Sequence, residues 1–309
     1  MVKKDLIKKN NRKNKPLIHG ESFVNGVMMN DEENISIAFR KKDGSIGEIV
    51  DSKVSLVKKY SFLNVFVVRS IIRFFEGSFN QFYAVEQMKK EEHIEHETAG
   101  VNNHGRMKVC FIVFLTILAG FILYFIVPFV VVFYSKNLLV FNTVVLNLIE
   151  GILRLIIFLL FFVLFVKIGG KNETVFYHGA EHKCVSCYRN GDELTLENVK
   201  KHPIRLPACG TSLLFLTIIF SIPVFLFLNY ENLVFRIVIM LFLLVFLIGF
   251  SFEITLWVEN NSDSIVARIL SAPGLFLQRF NTEEPDDKHL EVAIVALKNL
   301  IKMAAPGHK

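Results

Sequence analysis

Four apolar blocks limit what this chain can fold into. Residues 109–134, 139–166, 213–228 and 233–258 carry almost no charge. A helix needs about 20 apolar residues in a row to cross the hydrocarbon of a bilayer. The 309 residues are 52% hydrophobic, and those residues come in blocks rather than short periodic runs. The expected fold is a mainly α, multi-pass membrane protein. It has about four transmembrane helices, an interfacial amphipathic helix and a small N-terminal β-hairpin unit. The first fifteen residues are polar and basic with no apolar h-region behind them, so the first span is expected to serve as an internal anchor.

The rest of the chain divides around these blocks. Residues 1–16 hold seven Lys/Arg and read as a disordered basic tail near anionic lipid. Residues 17–57 read as a small β-rich unit. Asn34 to Arg40 alternates with period two, Asp43-Gly44 is a hairpin turn signal, and Ile46 to Val50 returns as the second strand. Gly20 to Met29 has two glycines and little periodicity, so it reads as a loop. Residues 58–106 hold an interfacial helix and a charged linker. Arg69, Arg73, Glu76 and Asn80 share one helical face, with aromatic and aliphatic residues on the others. His93-Ile94-Glu95-His96 lies in the acidic linker and reads as solvated. Residues 107–166 are the first transmembrane pair and 211–258 the second. Residues 259–309 read as two cytoplasmic helices, Ser264 to Phe280 and Leu290 to Met303, the second preceded by Asp286-Asp287, which suit a helix start.

Charge sets the orientation. The polar segment 167–210 holds seven Lys/Arg, whereas the two connections on the opposite side offer Lys136 and Arg236. The positive-inside rule places both termini and residues 167–210 in the cytoplasm, at the plasma membrane. The net charge of +6 follows from that bias and does not argue for nucleic acid. The expected partners are the bilayer and a membrane protein.

Within residues 167–210 the string Tyr177-His178-Gly179-Ala180-Glu181-His182-Lys183 reads H-x-x-E-H at its core. On a helix, His178 and His182 are one turn apart on one face and can hold one ion. Glu181 points to nearly the same side and can orient or deprotonate a bound water. The same letters occur in one class of zinc hydrolases, and the bland alternative is a polar helix that carries two histidines. A catalytic zinc has three protein ligands. Cys209, beside a helix N-terminus that favours thiolate, is one candidate for the third. Glu253 in the fourth block is the other. Cys184 and Cys187 form a CxxC that, with Cys209 and one histidine, would make a closed structural site instead. Cys110 reads as inert packing. Glu150 and Arg154, four apart in the second block, are intramembrane ionisable residues that either pair to fix membrane depth or position a substrate.

Taken together these strings resemble the YqhQ-like bacterial membrane proteins, a family of unknown function described as metal-dependent enzymes. The resemblance spans residues 19 to 298. It rests on the His178 string, Cys209-Gly210-Thr211-Ser212, Gly26-Val27-Met28-Met29, Glu150-Gly151 with Arg154, and Ser251-Phe252-Glu253. It continues through Ala272-Pro273-Gly274-Leu275 with Gln278, and Glu284-Pro285-Asp286-Asp287. Arg69 and Glu76 keep the spacing of a similar pair. The chain departs from the pattern at His19-Gly20-Glu21 and Asn25, where the family has Gly-Gly-Gln and Glu, and at Leu206-Pro207-Ala208, where a His is common. Cys184 and Cys187 are outside the pattern. The resemblance implies a metal-dependent role and names no substrate.

Three functions are expected to compete. The first is a membrane-embedded hydrolase using a divalent metal, zinc by donor type. His178, His182 and Cys209 are its ligands, and Glu181, Glu253, Glu150 and Arg154 its catalytic or positioning groups. The second is a non-catalytic scaffold held together by the metal. The third is a transport component using Glu150, Arg154 and Glu253.

Overall fold

The computed structural model describes residues 18–94, 120, 122–135, 142–169, 173–228 and 233–305. The basic tail, His96, Cys110, most of the first half of the first apolar block, Lys136 and the Asn229–Asn232 connection lie outside the described residues. The protein is mainly helical, with one small N-terminal sheet.

Four strands, β1 (His19–Phe23), β2 (Gly26–Asn30), β3 (Asn34–Arg40) and β4 (Ile46–Ser52), form an antiparallel meander in sequence order. The β3–β4 hairpin turns at Gly44, whose φ of 88° suits glycine. The stretch Gly20 to Met29, expected as a loop, is instead β1 and β2. They turn through Val24-Asn25 with Asn25 at φ 69°, a conformation asparagine tolerates. In β2 the missing alternation has a physical cause: Gly26 to Met29 are all buried and all non-polar, with both faces covered. Met28, Ile35, Ile37 and Phe39 pack on one side against Ala84 and Met88 of a long helix. Val27, Met29 and Ala38 pack on the other side against two further helices. A strand buried on both faces has no polar side to alternate with.

The helices run in order: α1 (Leu56–Lys59), α2 (Val68–Ile94), α3 (Val127–Ser135, after a π-helical turn Ile122–Ile126), α4 (Thr143–Gly169) and α5 (Glu173–Asn190). Then come α6 (Leu196–Lys200), α7 (Gly210–Phe225), α8 (Leu233–Asn260), α9 (Ile265–Asn281) and α10 (Asp287–Ala304). Two segments, Thr143–Leu164 in α4 and Val234–Asn260 in α8, are long and apolar enough to cross a membrane. The described part of the first block and α7 are apolar but shorter, so only two of the four expected spans meet the length test among the described residues.

On α2 the expected polar face is present. Arg69 grips Glu253 of α8 with two hydrogen bonds, Nε to Oε1 at 2.6 Å and Nη2 to Oε2 at 2.7 Å, and Ser70 Oγ donates to the same carboxylate at 2.7 Å. Glu76 receives Ser55 Oγ at 2.7 Å and the Leu56 amide at 2.6 Å, which fixes the start of α1. Phe75, Phe79 and Phe82 are exposed on another face.

At the opposite end of α8 a second polar cluster is buried. Glu150 pairs with Arg154, as its spacing indicates, and also with Arg236. Arg236 is therefore not a connection residue: it sits in α8, buried, and also donates to Asn147 Oδ1 at 3.0 Å. Asn147 in turn holds the Leu226 and Leu228 carbonyls at 2.8 and 3.0 Å, tying α4 to the end of α7. Each guanidinium lies 5.3 Å from an aromatic ring, Arg154 over Phe225 and Arg236 over Phe129, which partly compensates their desolvation. One carboxylate serves two buried cations, so Glu150→Gln is expected to cost about 3–5 kcal/mol. Thermal unfolding of the purified variant in detergent checks this, and an unchanged melting temperature would contradict it.

Candidate metal centre

The segment expected as a polar loop is organised by α5, which is buried from Tyr177 to Cys187 except for the half-buried His178. A helix covered on all sides must satisfy its polar side chains internally. Lys183 does so by donating to the Lys200 and His202 carbonyls, both at 2.9 Å, and by pairing with Glu284 at 2.7 Å. A Cβ on Gly179 would overlap the Glu283 carbonyl, so that glycine admits the segment before α10. A Cβ on Gly20 of β1 would overlap the Glu181 carboxylate. The β1 backbone thus covers Glu181 directly.

His178 and His182 share one face, with ring centroids 4.3 Å apart. His178 Nδ1 is 3.1 Å from the Asn281 carbonyl and His182 Nδ1 is 2.8 Å from the Ile204 carbonyl. A carbonyl only accepts, so both rings carry their proton on Nδ1. Both Nε2 atoms are then acceptors and face Cys209 and Glu181 rather than the backbone. A ring held through Nδ1 with Nε2 as acceptor is the arrangement in which histidines bind metals. Burial, and His178 beside it, hold the His182 imidazole below its usual pKa, favouring the neutral ring.

Cys209 stands at the N-cap position of α7 without a side-chain capping bond, and its Sγ lies 3.4 Å from His178 Nε2. The donor atoms of His178, His182 and Cys209 all fall within 4.8 Å of one another, so the three can hold a metal ion. One oxygen of Glu181, Oε2, is 3.9 Å from His178 Nε2 and 3.7 Å from His182 Nε2. Burial pushes the Glu181 carboxyl up to about 7, against the pull of His178 and Arg189.

The other candidates lie elsewhere. Glu253 is engaged by Arg69 and Ser70 of α2 and stands outside the ligand group. Glu150 and Arg154 sit near the start of α4 with Arg236, at the end of α7 remote from Cys209. A helix of sixteen residues separates the two ends, about 24 Å at 1.5 Å per residue. Cys184 packs in the core, its thiol pushed up by burial, and Cys187 donates to the Glu193 carbonyl at 3.5 Å. The CxxC therefore does not join Cys209. Asn25 is in the β1–β2 turn.

Several residues that build the centre carried no chemical signal of their own. Gln278 of α9, fully buried, accepts from the Leu206 amide at 3.0 Å and donates to its carbonyl at 2.8 Å and to Ser212 Oγ at 3.1 Å. Asn281 donates to Thr211 Oγ1 at 2.7 Å while its carbonyl orients His178. Together they fix the segment that delivers Cys209. Glu21, beside Gly20, is a further buried carboxyl, pushed up to about 8 by desolvation and by the charge of Glu181. Gln278→Ala is expected to weaken metal binding about 10–100-fold, as removal of ligand-orienting groups does, while the helices persist. Competition against a chromophoric chelator measures this; unchanged affinity would contradict it.

A family model described as "Protein of unknown function (DUF1385)" matches residues 65–303. The chain is similar to the uncharacterized protein YqhQ of Bacillus subtilis (strain 168), 29% identical over 307 residues and covering 94% of each sequence. No solved structure matches.

Proposed function

The chain belongs to this family of proteins of unknown function, and we propose that it is an integral membrane, metal-dependent hydrolase working at the cytoplasmic membrane face. One observation carries the reading: two imidazoles held through Nδ1 by carbonyls turn their Nε2 atoms toward one thiol and one carboxylate oxygen. A tetrahedral zinc, at about 2.0–2.1 Å from nitrogen and about 2.3 Å from sulfur, asks for donor separations of about 3.3–3.6 Å. Within the ligand set the Cys209 Sγ–His178 Nε2 separation of 3.4 Å meets that, and all three donor atoms lie within 4.8 Å of one another.

In this reading His178, His182 and Cys209 hold the ion. Such an ion acidifies water and polarises an acyl or phosphoryl oxygen. Glu181 Oε2 lies where it can accept a proton from an attacking water and return it to a leaving group. The Asn281 and Ile204 carbonyls hold the two rings in register. Glu150, Arg154 and Glu253 position helices rather than substrate. The proposed topology has four spans, counting the first block and α7, with both termini cytoplasmic. What supports it is the Lys/Arg bias, strengthened now that Arg236 is inside α8.

A second reading is favoured by the burial of the site. Glu181 is 5% exposed and His182 1%, and a closed four-ligand shell with Glu181 as the fourth donor is what a structural site has. The protein would then be a metal-stabilised scaffold for a membrane partner.

His178→Ala, His182→Ala and Cys209→Ala are each expected to lower the zinc content of purified protein well below one per chain. Stoichiometric zinc in the histidine variants would end both readings. Glu181→Gln separates them. It is expected to keep the metal if Glu181 is a base, and to lose most of it if Glu181 is a ligand. Cobalt-substituted protein adds a second readout, since azide shifts its visible spectrum only where a coordination position is open.

A further inference from the structure

Helix α9 has its amphipathicity inside out. Ile265, Ile269, Phe276 and Phe280 follow at steps of four, seven and four, which puts them in one stripe. That stripe faces outward, with exposures of 73, 66, 54 and 42%. The opposite stripe, Ala267, Ser271, Gly274 and Gln278, is small or polar and is buried. It lets α9 approach α7 so closely that a Cβ on Gly274 would overlap Ser212. In water the preference is the reverse, with the apolar stripe turned to the core. Small and polar residues at the helix contact, with large apolar ones outside, is how helices pack in lipid.

We propose that the outer face of α9 is seated in a phospholipid leaflet, so that the wall of the metal centre made by α9 stands at the membrane surface. The occupant follows from continuity. Helix α9 packs against α7 and α8, and α8 exposes Val238, Phe242, Val245 and Phe246 along a segment long enough to span. Trp257, near the end of α8 and eight residues before Ile265, is 42% exposed, as suits a residue at headgroup level. Arg268 and Arg279, both exposed, run along one edge of the stripe where phosphates would lie. The exposed apolar stripes of α8 and α9 thus belong to helices that pack against each other and are joined by the short 261–264 turn. This assignment holds whether or not the centre binds metal. It differs from a cytoplasmic placement of residues 265–281.

The chain has one tryptophan, which makes the test direct. Full-length Trp257→Phe protein carrying Phe276→Trp is reconstituted into phosphatidylcholine/phosphatidylglycerol vesicles, with plain or brominated acyl chains. The expected result is blue-shifted emission, strong quenching by brominated chains and little by aqueous iodide. Quenching by iodide and not by bromine would overturn the proposal. Protection from both would also overturn it, because a second copy or another protein would then cover the face. Ile269→Trp in the same background serves as a second reporter, so that a local disturbance at Phe276 does not decide the result. Zinc content of the same samples is read separately: bromine quenching without bound zinc removes the metal reading and leaves this one standing.

Discussion

The burial of α5 is the constraint on which the other elements depend. Glu181, His182, Lys183, Cys184 and Cys187 are all enclosed, and enclosed polar groups without partners would cost more than the surrounding apolar contacts return. Each neighbour supplies a partner or a cover. The 200–206 segment presents carbonyls to Lys183 and His182. The end of α9 presents the Asn281 carbonyl to His178. Strand β1 lays a glycine over Glu181. The sheet, α10 and the start of α7 are thereby fixed around one helix, and the donor atoms converge as a result.

This explains why some parts were legible in the sequence and others not. The H-x-x-E-H spacing and the position of Cys209 before an apolar helix carried the ligand group, because helical periodicity alone brings the histidines to one face. Glu150 and Arg154 were legible as a pair for the same reason. The hairpin at Asp43-Gly44 announced itself through turn chemistry. Strand β2 did not, because its residues Gly26 to Met29 are non-polar on both covered faces, and β1 did not, because Gly20 stands where its backbone closes over Glu181. Arg236 was misplaced because a charge near the edge of an apolar block looks the same inside or outside the helix. The role of Glu253 depended on Arg69, 184 residues away, a contact that no local pattern encodes. Gln278 and Asn281 act through contacts with Leu206, Ser212, Thr211 and His178, 66 to 103 residues away, and no local pattern encodes such contacts.

The two buried ion clusters divide the labour along α8. Glu253 docks α2, the helix with the exposed phenylalanines, onto the half of α8 that leads to Trp257 and Asn260. Glu150, Arg154, Arg236 and Asn147 lock α4, α7 and α8 at the other end. On the proposed topology the Glu150 cluster lies within the bilayer, where an unpaired charge is costlier than in a soluble core, and the Glu253 cluster joins a span to the interfacial helix α2. The Glu150 cluster holds α4, α7 and α8 together, and α7 is the helix whose start carries Cys209, which helps keep a centre built from distant segments in register.

The coordination shell of the ion is the most direct measure of the central claim. X-ray absorption at the zinc edge of the full-length protein in lipid reads ligand type and distance without a substrate. Two imidazole nitrogens at about 2.0–2.1 Å and one sulfur at about 2.3 Å are expected, with an oxygen completing the shell. A shell of oxygens alone, or one with two or more sulfurs, would contradict a centre made by His178, His182 and Cys209.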